Sequence, residues 1–196
     1  MFRTFSVLAG LVGLTAILSA QAIDPDTFKV NYFSNIGTGL APSQVRLTNV
    51  GTSGGNICVD IYVFDPNQEL QECCSCQLTP DGLLTLGIGP LGGDIAANPL
   101  TGQNPPLLNG SIAIVSSSGT CSDTGLPLPV SPKPIPGLRA WATHLNGPGL
   151  TTETEFQDSG LSAVELSRLA AECKAIQLVG SGKGVCSCGT GDNNGW

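Results

Sequence analysis

The sequence predicts a mainly β fold: a β-sandwich with Greek-key or immunoglobulin-like connections, one short C-terminal helix and a set of disulfide staples. Short segments in which apolar and polar residues alternate recur along the chain, and this is the periodicity of strands. Gly supplies 26 and Pro 14 of the 196 residues, so turns are frequent and long helices are disfavoured. Eight cysteines follow an N-terminal export signal, which favours disulfides. A small closed barrel is the alternative arrangement of the same strands.

Residues 1–22 have the three parts of a secretory signal peptide. Arg3 supplies the positive charge, an apolar run covers residues 7–18, and Ala20 and Ala22 are the small residues that signal peptidase requires. The apolar run is shorter than the about 20 residues that span a bilayer, so we expect cleavage after Ala22 rather than a membrane anchor. We therefore predict a secreted or periplasmic protein with no membrane span in the mature chain.

The charge distribution disfavours one class of partner. The formal net charge is −7, from 15 acidic and 8 basic residues, and the basic residues form no cluster. Nucleic-acid binding needs a basic face that contacts phosphates, so no nucleic-acid partner is expected. We expect an unidentified protein or a cell-surface component as partner, and no cofactor.

Alternation, together with the turn residues between segments, predicts the individual strands. Residues 43–70 have the pattern strand, turn, strand, with the turn at 52–55. The other predicted strands are 27–33, 83–86, 111–117 and 138–145. Residues 87–110, rich in Gly, Pro and Asn, are predicted as a long surface loop. The five prolines of residues 121–137 predict an extended connection or an edge.

Residues 57–64 carry one of the clearest strand patterns. Every second residue from Ile57 to Val63 is aliphatic, and Asp60 belongs to the opposite face. The aliphatic face is predicted to lie on the core. We therefore expect Ile61→Asp to destabilise the fold strongly and Asp60→Ser to have a mild effect.

The chain changes character near residue 150. Ser162 and Glu165 fit a capping box, and apolar residues at helical spacing follow, so a helix is predicted over residues 163–174. Residues 175–180 are predicted as a strand, followed by a tight turn and the segment VCSC.

The predicted organisation has three parts. They are a signal peptide at 1–22, a β-sandwich domain at 23–149, and a cysteine-containing appendage of helix and β-hairpin at 150–196. The appendage is too small to hold a core alone, so it is expected to pack on the sandwich.

The cysteines are predicted to form disulfides, because an even count in an exported protein is typical of a disulfide framework. The candidates are Cys58, Cys73, Cys74, Cys76, Cys121, Cys173, Cys186 and Cys188. Neighbours in an extended segment point to opposite faces, so the adjacent Cys73 and Cys74 are expected to reach different partners. We predict that at least two of the three cysteines at 73–76 are bonded. At least one bond should reach the C-terminal group at 173–188.

The same cysteines leave an alternative open. Cys73 and Cys76 have zinc-ligand spacing, and Cys186 and Cys188 could complete a site of four thiolates. Redox chemistry at the first pair fits less well, because a reactive thiolate is stabilised by a helix N-terminus and this pair follows a strand and a turn. In the primary interpretation the cysteines bind no metal.

The runs ICVDIYVFDPNQELQECCSC at 57–76 and GSGKGVCSC at 180–188 resemble an uncharacterised group of exported, cysteine-rich bacterial proteins. The resemblance covers about half of the mature chain. It implies export, and it implies no activity, because none is associated with that group.

No complete catalytic set is visible in the sequence. His144 is the only histidine, and it comes long after Ser53 in GTSGG, which is the wrong order for the protease motif that GTSGG suggests. We expect Ser53 in a turn and His144 in a half-buried structural position.

Two further motifs are incomplete. Glu69 with Glu72, or Glu153 with Glu155, could pair for sugar hydrolysis, but nothing places either pair across a cleft. The run GSGKG at 180–184 lacks the first glycine and the hydroxyl residue of a phosphate-binding loop.

We interpret the chain as an exported, disulfide-stabilised β-sandwich with a structural or binding role outside the cytoplasm, and not as an enzyme. Two alternatives remain open. One is a thiolate metal-binding or redox protein that uses the cysteine pairs, and the other is a secreted hydrolase whose site the sequence does not reveal.

Overall fold

The computed structural model describes residues 25–34, 43–89, 93–100, 107–121, 132–145 and 150–189. They form two antiparallel sheets and one α-helix. The strands are β1 (Phe28–Ser34), β2 (Ser43–Asn49), β3 (Ile57–Phe64), β4 (Leu70–Leu78), β5 (Leu83–Ile88), β6 (Asn109–Ser118), β7 (Lys133–Pro134), β8 (Leu138–Leu145), β9 (Thr151–Glu155) and β10 (Gln157–Asp158). The predicted signal peptide at 1–22 lies outside the described residues.

The strands divide between the two sheets in an order that differs from the chain order. The larger sheet has the order β10-β1-β6-β3-β4, with β7 paired to the end of β6, and the smaller sheet has the order β5-β2-β8-β9. The chain crosses repeatedly from one sheet to the other, as in Greek-key sandwiches. The prediction of a mainly β, disulfide-stapled sandwich with one C-terminal helix is confirmed.

The sandwich core lies between the two sheets. Every second residue of β3 from Ile57 to Val63 is at most 1 % exposed. These side chains form one cluster with apolar residues of the smaller sheet, among them Leu47 and Leu86. The aliphatic face predicted for residues 57–64 therefore does lie on the core, as strand alternation requires.

The helix α1 spans Ala163–Val179 and begins where the capping box predicts. Ser162 Oγ accepts a hydrogen bond at 3.1 Å from the main-chain N–H three residues on. The predicted end at residue 174 and the predicted strand over 175–180 are wrong, since the helix ends at Gly180, whose φ is 64°. Ile176 explains the longer helix, because it continues the apolar stripe that packs on the sheet.

The outer face of the larger sheet is also buried, because α1 packs on it. Leu169 of α1, Tyr62 of β3 and Val115 of β6 belong to one buried cluster. Asp60 lies on the same face of β3 as Tyr62 and is 0 % exposed. β3 is thus buried on both faces, and the expected mild effect of Asp60→Ser does not follow from its environment.

Strand pairing crosses the boundary predicted at residue 150. β9 pairs with β8 and β10 pairs with β1, so residues 151–158 belong to the two sheets of the sandwich. The β-hairpin predicted after the helix does not occur in residues 180–189. Instead, Val185 forms a parallel bridge with Cys73 of β4.

Three other segments test the sequence predictions. β4 was not predicted as a strand. Part of the predicted surface loop at 87–110 is buried, since Ile95 and Ala96 are both 0 % exposed. The edge predicted within residues 121–137 is present as β7, while residues 122–131 lie outside the described part. No helix within the described residues is both long and apolar enough to cross a membrane.

Candidate functional site

The eight cysteines form four disulfides, three of which start from β4. The bonds are Cys58–Cys121, Cys73–Cys173, Cys74–Cys186 and Cys76–Cys188, with Cα–Cα distances of 5.7, 5.9, 5.3 and 5.5 Å. Strand alternation decides the partners: Cys73 lies in the cluster beneath α1, whereas Cys74 and Cys76 lie in the sandwich core. The predicted disulfide set is confirmed, including the bonds from residues 73–76 to the C-terminal group.

Two of these bonds run side by side and close nearly the same loop. Cys74–Cys186 and Cys76–Cys188 both span 112 residues. Chain-entropy models assign about 4.7 kcal/mol to closing a loop of about 100 residues. Either one of the two bonds alone closes that loop in the unfolded chain. The second bond therefore adds little loop entropy, and its contribution is to fix the register between β4 and the C-terminal segment.

The four-thiolate site considered as an alternative does not form from these cysteines. Cys76 and Cys188 are bonded to each other, and Cys73 and Cys186 are bonded to two further cysteines. Every cysteine is oxidised, and a metal site needs thiolates. Within the described ranges, no group of three or more His, Cys, Asp or Glu side chains is arranged to hold a metal ion.

The C-terminal segment also covers the edge of β4 with hydrogen bonds. Cys73 N donates to Gly184 O at 2.9 Å, and Cys186 N donates to Cys73 O at 3.3 Å. On its other side, Gly184 N donates to Asn98 O at 2.8 Å, and Asn98 Nδ2 donates to Gly182 O at 2.7 Å. The segment thus lies between β4 and the loop that contains Asn98, where it protects an otherwise open sheet edge.

Glu72 holds that loop from the inside. Its side chain is 0 % exposed, and its carboxyl oxygens accept hydrogen bonds from Ala96 N at 2.7 Å and Asn98 N at 2.5 Å. Burial raises the pKa of Glu72 to about 7, although the two main-chain donors act in the opposite direction. Glu69, by contrast, is exposed. The two glutamates therefore differ in environment, and Glu72 is engaged in holding structure.

A second buried carboxyl lies on the outer face of the larger sheet. Asp60 accepts hydrogen bonds from Ser75 Oγ at 2.5 Å and from Ser117 Oγ at 2.6 Å. Burial raises the pKa of Asp60 to about 6, and the two serine hydroxyls limit that rise. The pKa of the neighbouring Tyr62 is also raised, first by burial and then by the charge of Asp60. The cluster links β3, β4 and β6 through side chains.

An open cavity of about 530 Å³ lies beside β1, and we call it the Tyr32 groove. Its lining includes Asn31, Tyr32, Ser111, Glu155, Gln157 and Asp158. The Tyr32 side chain is 51 % exposed. A volume of this size falls within the roughly 300–1,000 Å³ typical of small-molecule sites.

His144 supports the tyrosine of this groove from below. The two rings are stacked, with centroids 4.0 Å apart and an interplanar angle of 11°. His144 is 0 % exposed, and its Nε2 is 2.7 Å from Thr154 Oγ1. Burial lowers the pKa of His144 below its usual value of 6.5, which favours the neutral ring. The tyrosine ring is thus held at a fixed orientation.

Hydrogen bonds and an ion pair join the two sides of the groove. Asn31 Nδ2 donates to Thr154 Oγ1 at 3.1 Å, which links β1 to β9. Lys29 is 3 % exposed, and its ammonium binds Asp158 and, at 3.4 Å, Asp26. The shape of the groove therefore depends on contacts that are already made in the folded protein.

A smaller cavity of about 410 Å³ lies between α1 and the β3–β4 turn. Its walls include the apolar side chains of Leu70, Leu100, Ile176 and Val179, with Arg168 at the rim. Two glutamates of the same helix bind the Arg168 guanidinium, each at 2.6 Å. The positive charge of Arg168 is thus already paired within the helix.

The remaining residues discussed from the sequence have structural surroundings. Ser53 lies in the turn between β2 and β3, as predicted, and its Oγ donates to a nearby main-chain oxygen at 3.0 Å. His144 is fully rather than half buried. Glu153 and Glu155 lie on the exposed strand β9, where Glu153 pairs with Arg46 at 2.7 Å.

Sequence reasoning did not identify the Tyr32 groove or the role of Asp60. Tyr32 lies in the strand predicted at 27–33, and its stacking on His144 of β8 is a contact between distant segments that alternation within one strand does not predict. Asp60 did leave a signal, because a carboxylate within a run of aliphatic and aromatic strand residues needs a partner if it is buried.

No family model matches the chain, and neither a curated protein nor a solved structure matches it. The resemblance to exported, cysteine-rich bacterial proteins stays a prediction.

Proposed function

We propose that the protein works outside the cytoplasm as a disulfide-locked β-sandwich with a binding role. The observation that carries the proposal is the set of three disulfides that tie β4 to α1 and to the C-terminal segment. Disulfides of this kind persist in oxidising compartments and are rare where cellular reductants keep thiols reduced. The signal peptide predicted at 1–22 supplies the route to such a compartment.

The binding role is supported by an open groove on a scaffold that is fixed by covalent bonds. The Tyr32 groove presents an exposed aromatic ring whose support is already in place before any ligand arrives. A preorganised site loses less conformational entropy on binding than a flexible one. The partner is a component of the cell exterior, and the proposal assigns the protein no reaction.

Cell fractionation combined with mass spectrometry tests this function. The full chain is produced in a bacterium, and the exported fraction is denatured in iodoacetamide without reductant. We expect a chain that begins near Ile23 and carries no alkylated cysteine. A matched control lacks residues 2–22, and we expect it to stay in the cytoplasm with free thiols.

Two results would contradict the proposal. One is a chain in the cytoplasm that still begins at Met1 and carries several alkylated cysteines. The other is a chelator-sensitive metal bound by thiolates of Cys73, Cys76, Cys186 and Cys188, which would favour the metal-binding alternative instead.

A further inference from the structure

We propose that the Tyr32 groove binds an uncharged sugar ring of an oligosaccharide. This inference rests on the proposed binding role and names the ligand class of that site. It follows from three properties of the groove: the aromatic platform, the polar groups around it, and the sign of their charge.

The platform is the ring of Tyr32. Among the large apolar side chains that are exposed in the described residues, it is the only aromatic one. One face of the ring is covered by the His144 imidazole at 4.0 Å, and the residue is still 51 % exposed. The exposed area is therefore on the opposite face and the edge. A sugar ring has a face of C–H groups that can stack on such a surface, with a gain from apolar burial.

The polar groups are those that bind hydroxyls. Ser111 and Gln157 supply groups that both donate and accept hydrogen bonds, while Glu155 and Asp158 supply acceptors. The hydroxyls of a sugar are both donors and acceptors, so they match this mixture. Gln157 Nε2 is 3.3 Å from Glu155 O, which holds the amide beside the groove.

The charge of the groove disfavours anions. Glu155 and Asp158 are its charged lining residues, and both are acidic. Two cations lie close by: Lys29, 3 % exposed, binds Asp158 and Asp26, and Arg139 binds Asp26 at 2.7 Å and is also attracted by Glu155 and Asp158. Because three carboxylates face these two cations, phosphates, sulfated glycans and carboxylate ligands would still meet a net negative charge. A small cation would use the carboxylates but would leave Ser111 and Gln157 without a role.

A glycan array with the mature exported protein tests the proposal. The probes are neutral oligosaccharides of hexoses and N-acetylhexosamines, a sulfated glycan, and immobilised spermidine as a cationic probe. We expect binding to at least one neutral glycan, and calorimetry with that glycan then gives the Kd of the wild type and the variants.

The variants separate the platform from the fold. Tyr32→Ala should weaken binding about tenfold or more, because it removes the stacking surface. Tyr32→Phe keeps the ring and its contact with His144, so its Kd should stay within about threefold of the wild type. Gln157→Ala should weaken binding through a lost hydrogen bond. Val164→Ala, on the exposed side of α1, is the matched control and should change nothing. Thermal unfolding shows that each variant is folded.

Three outcomes would overturn the inference. The wild type binds no neutral glycan, it prefers the sulfated glycan or spermidine, or Tyr32→Ala binds as tightly as the wild type. These outcomes are independent of the fractionation and thiol measurements that test the proposed function, so the two failures can be told apart.

Discussion

Replacing Asp60 with asparagine should remove a large part of the pH dependence of folding stability. The carboxyl group is 0 % exposed, and both of its oxygens accept hydrogen bonds from serine hydroxyls, at 2.5 and 2.6 Å. Asparagine has nearly the same shape and keeps one acceptor oxygen, but it cannot ionise. The variant therefore changes the charge behaviour of the site more than its packing.

The magnitude follows from the pKa. Burial raises the pKa of Asp60 from 3.8 to about 6, whereas the unfolded chain keeps the ordinary value. Between these two values the folded state binds more protons than the unfolded state, so stability falls as the pH rises. The contribution is complete below the unfolded pKa and is lost once the pH passes the folded one. A shift of about two pKa units corresponds to about 3 kcal/mol.

Urea unfolding between pH 4 and 8, with the disulfides intact, measures this effect. The free energy of unfolding of Asp60→Asn relative to the wild type should rise by about 2 kcal/mol across that range, because part of the full effect is already lost at pH 4. In the wild type, Glu72 changes the stability with pH in the same direction as Asp60, while Asp26 and Glu165, whose pKa values are lowered, change it in the opposite direction. These groups are the same in the variant, so the difference between the two proteins isolates Asp60.

The matched control for that experiment is Asp81→Asn, which changes an exposed carboxylate in a turn. It removes a carboxylate at the surface and so shows what the loss of one charge does without a change in a buried site. If Asp60→Asn has the same pH slope as the wild type, the buried carboxyl of Asp60 is not the source of the pH dependence.

Two further predictions concern the core and the staples. Ile61→Asp should cost about 3 kcal/mol or more, because it buries an unpaired charge between the sheets, whereas Val164→Asp on the exposed side of α1 should stay within about 0.5 kcal/mol of the wild type. Similar losses in urea unfolding would show that the core is misplaced. Replacing Cys76 and Cys188 with alanine should lower the free energy of unfolding by less than about 3 kcal/mol, since the Cys74–Cys186 bond still closes nearly the same loop. Removal of both bonds should lower it by more than the sum of the two separate losses. Simple additivity would contradict the redundancy of the two bonds.

Local sequence patterns predicted the features that depend on residues within a single helix or strand. The cap at Ser162 depends on a side chain and a main-chain N–H three residues away, so the start of α1 could be predicted. The aliphatic face of β3 depends on period-two alternation. The divergence of Cys73 and Cys74 depends on the same alternation within one strand.

Predictions failed where a segment takes its environment from a distant one. β4 contains cysteines and polar residues, yet most of it is buried. The sandwich core covers one of its faces, the cluster beneath α1 covers the other, and the C-terminal segment covers its edge. Alternation disappears from a strand that is buried on both faces, so the periodicity carries no signal there. Ile95 is buried for a similar reason, since Glu72 holds its loop against the edge of the sandwich.

The sequence by itself determined the class of fold, the aliphatic face of β3 and the start of the helix, because these depend on residues close together in the chain. It also favoured disulfides for the cysteines, through their even number and the predicted export signal, while it left a thiolate site open as an alternative. Only the tertiary structure decided which cysteines pair, that Asp60 and Glu72 are buried, and that Tyr32 stands exposed on His144. Each of these depends on contacts between strands that lie far apart in the chain, and no local pattern specifies which strands become neighbours.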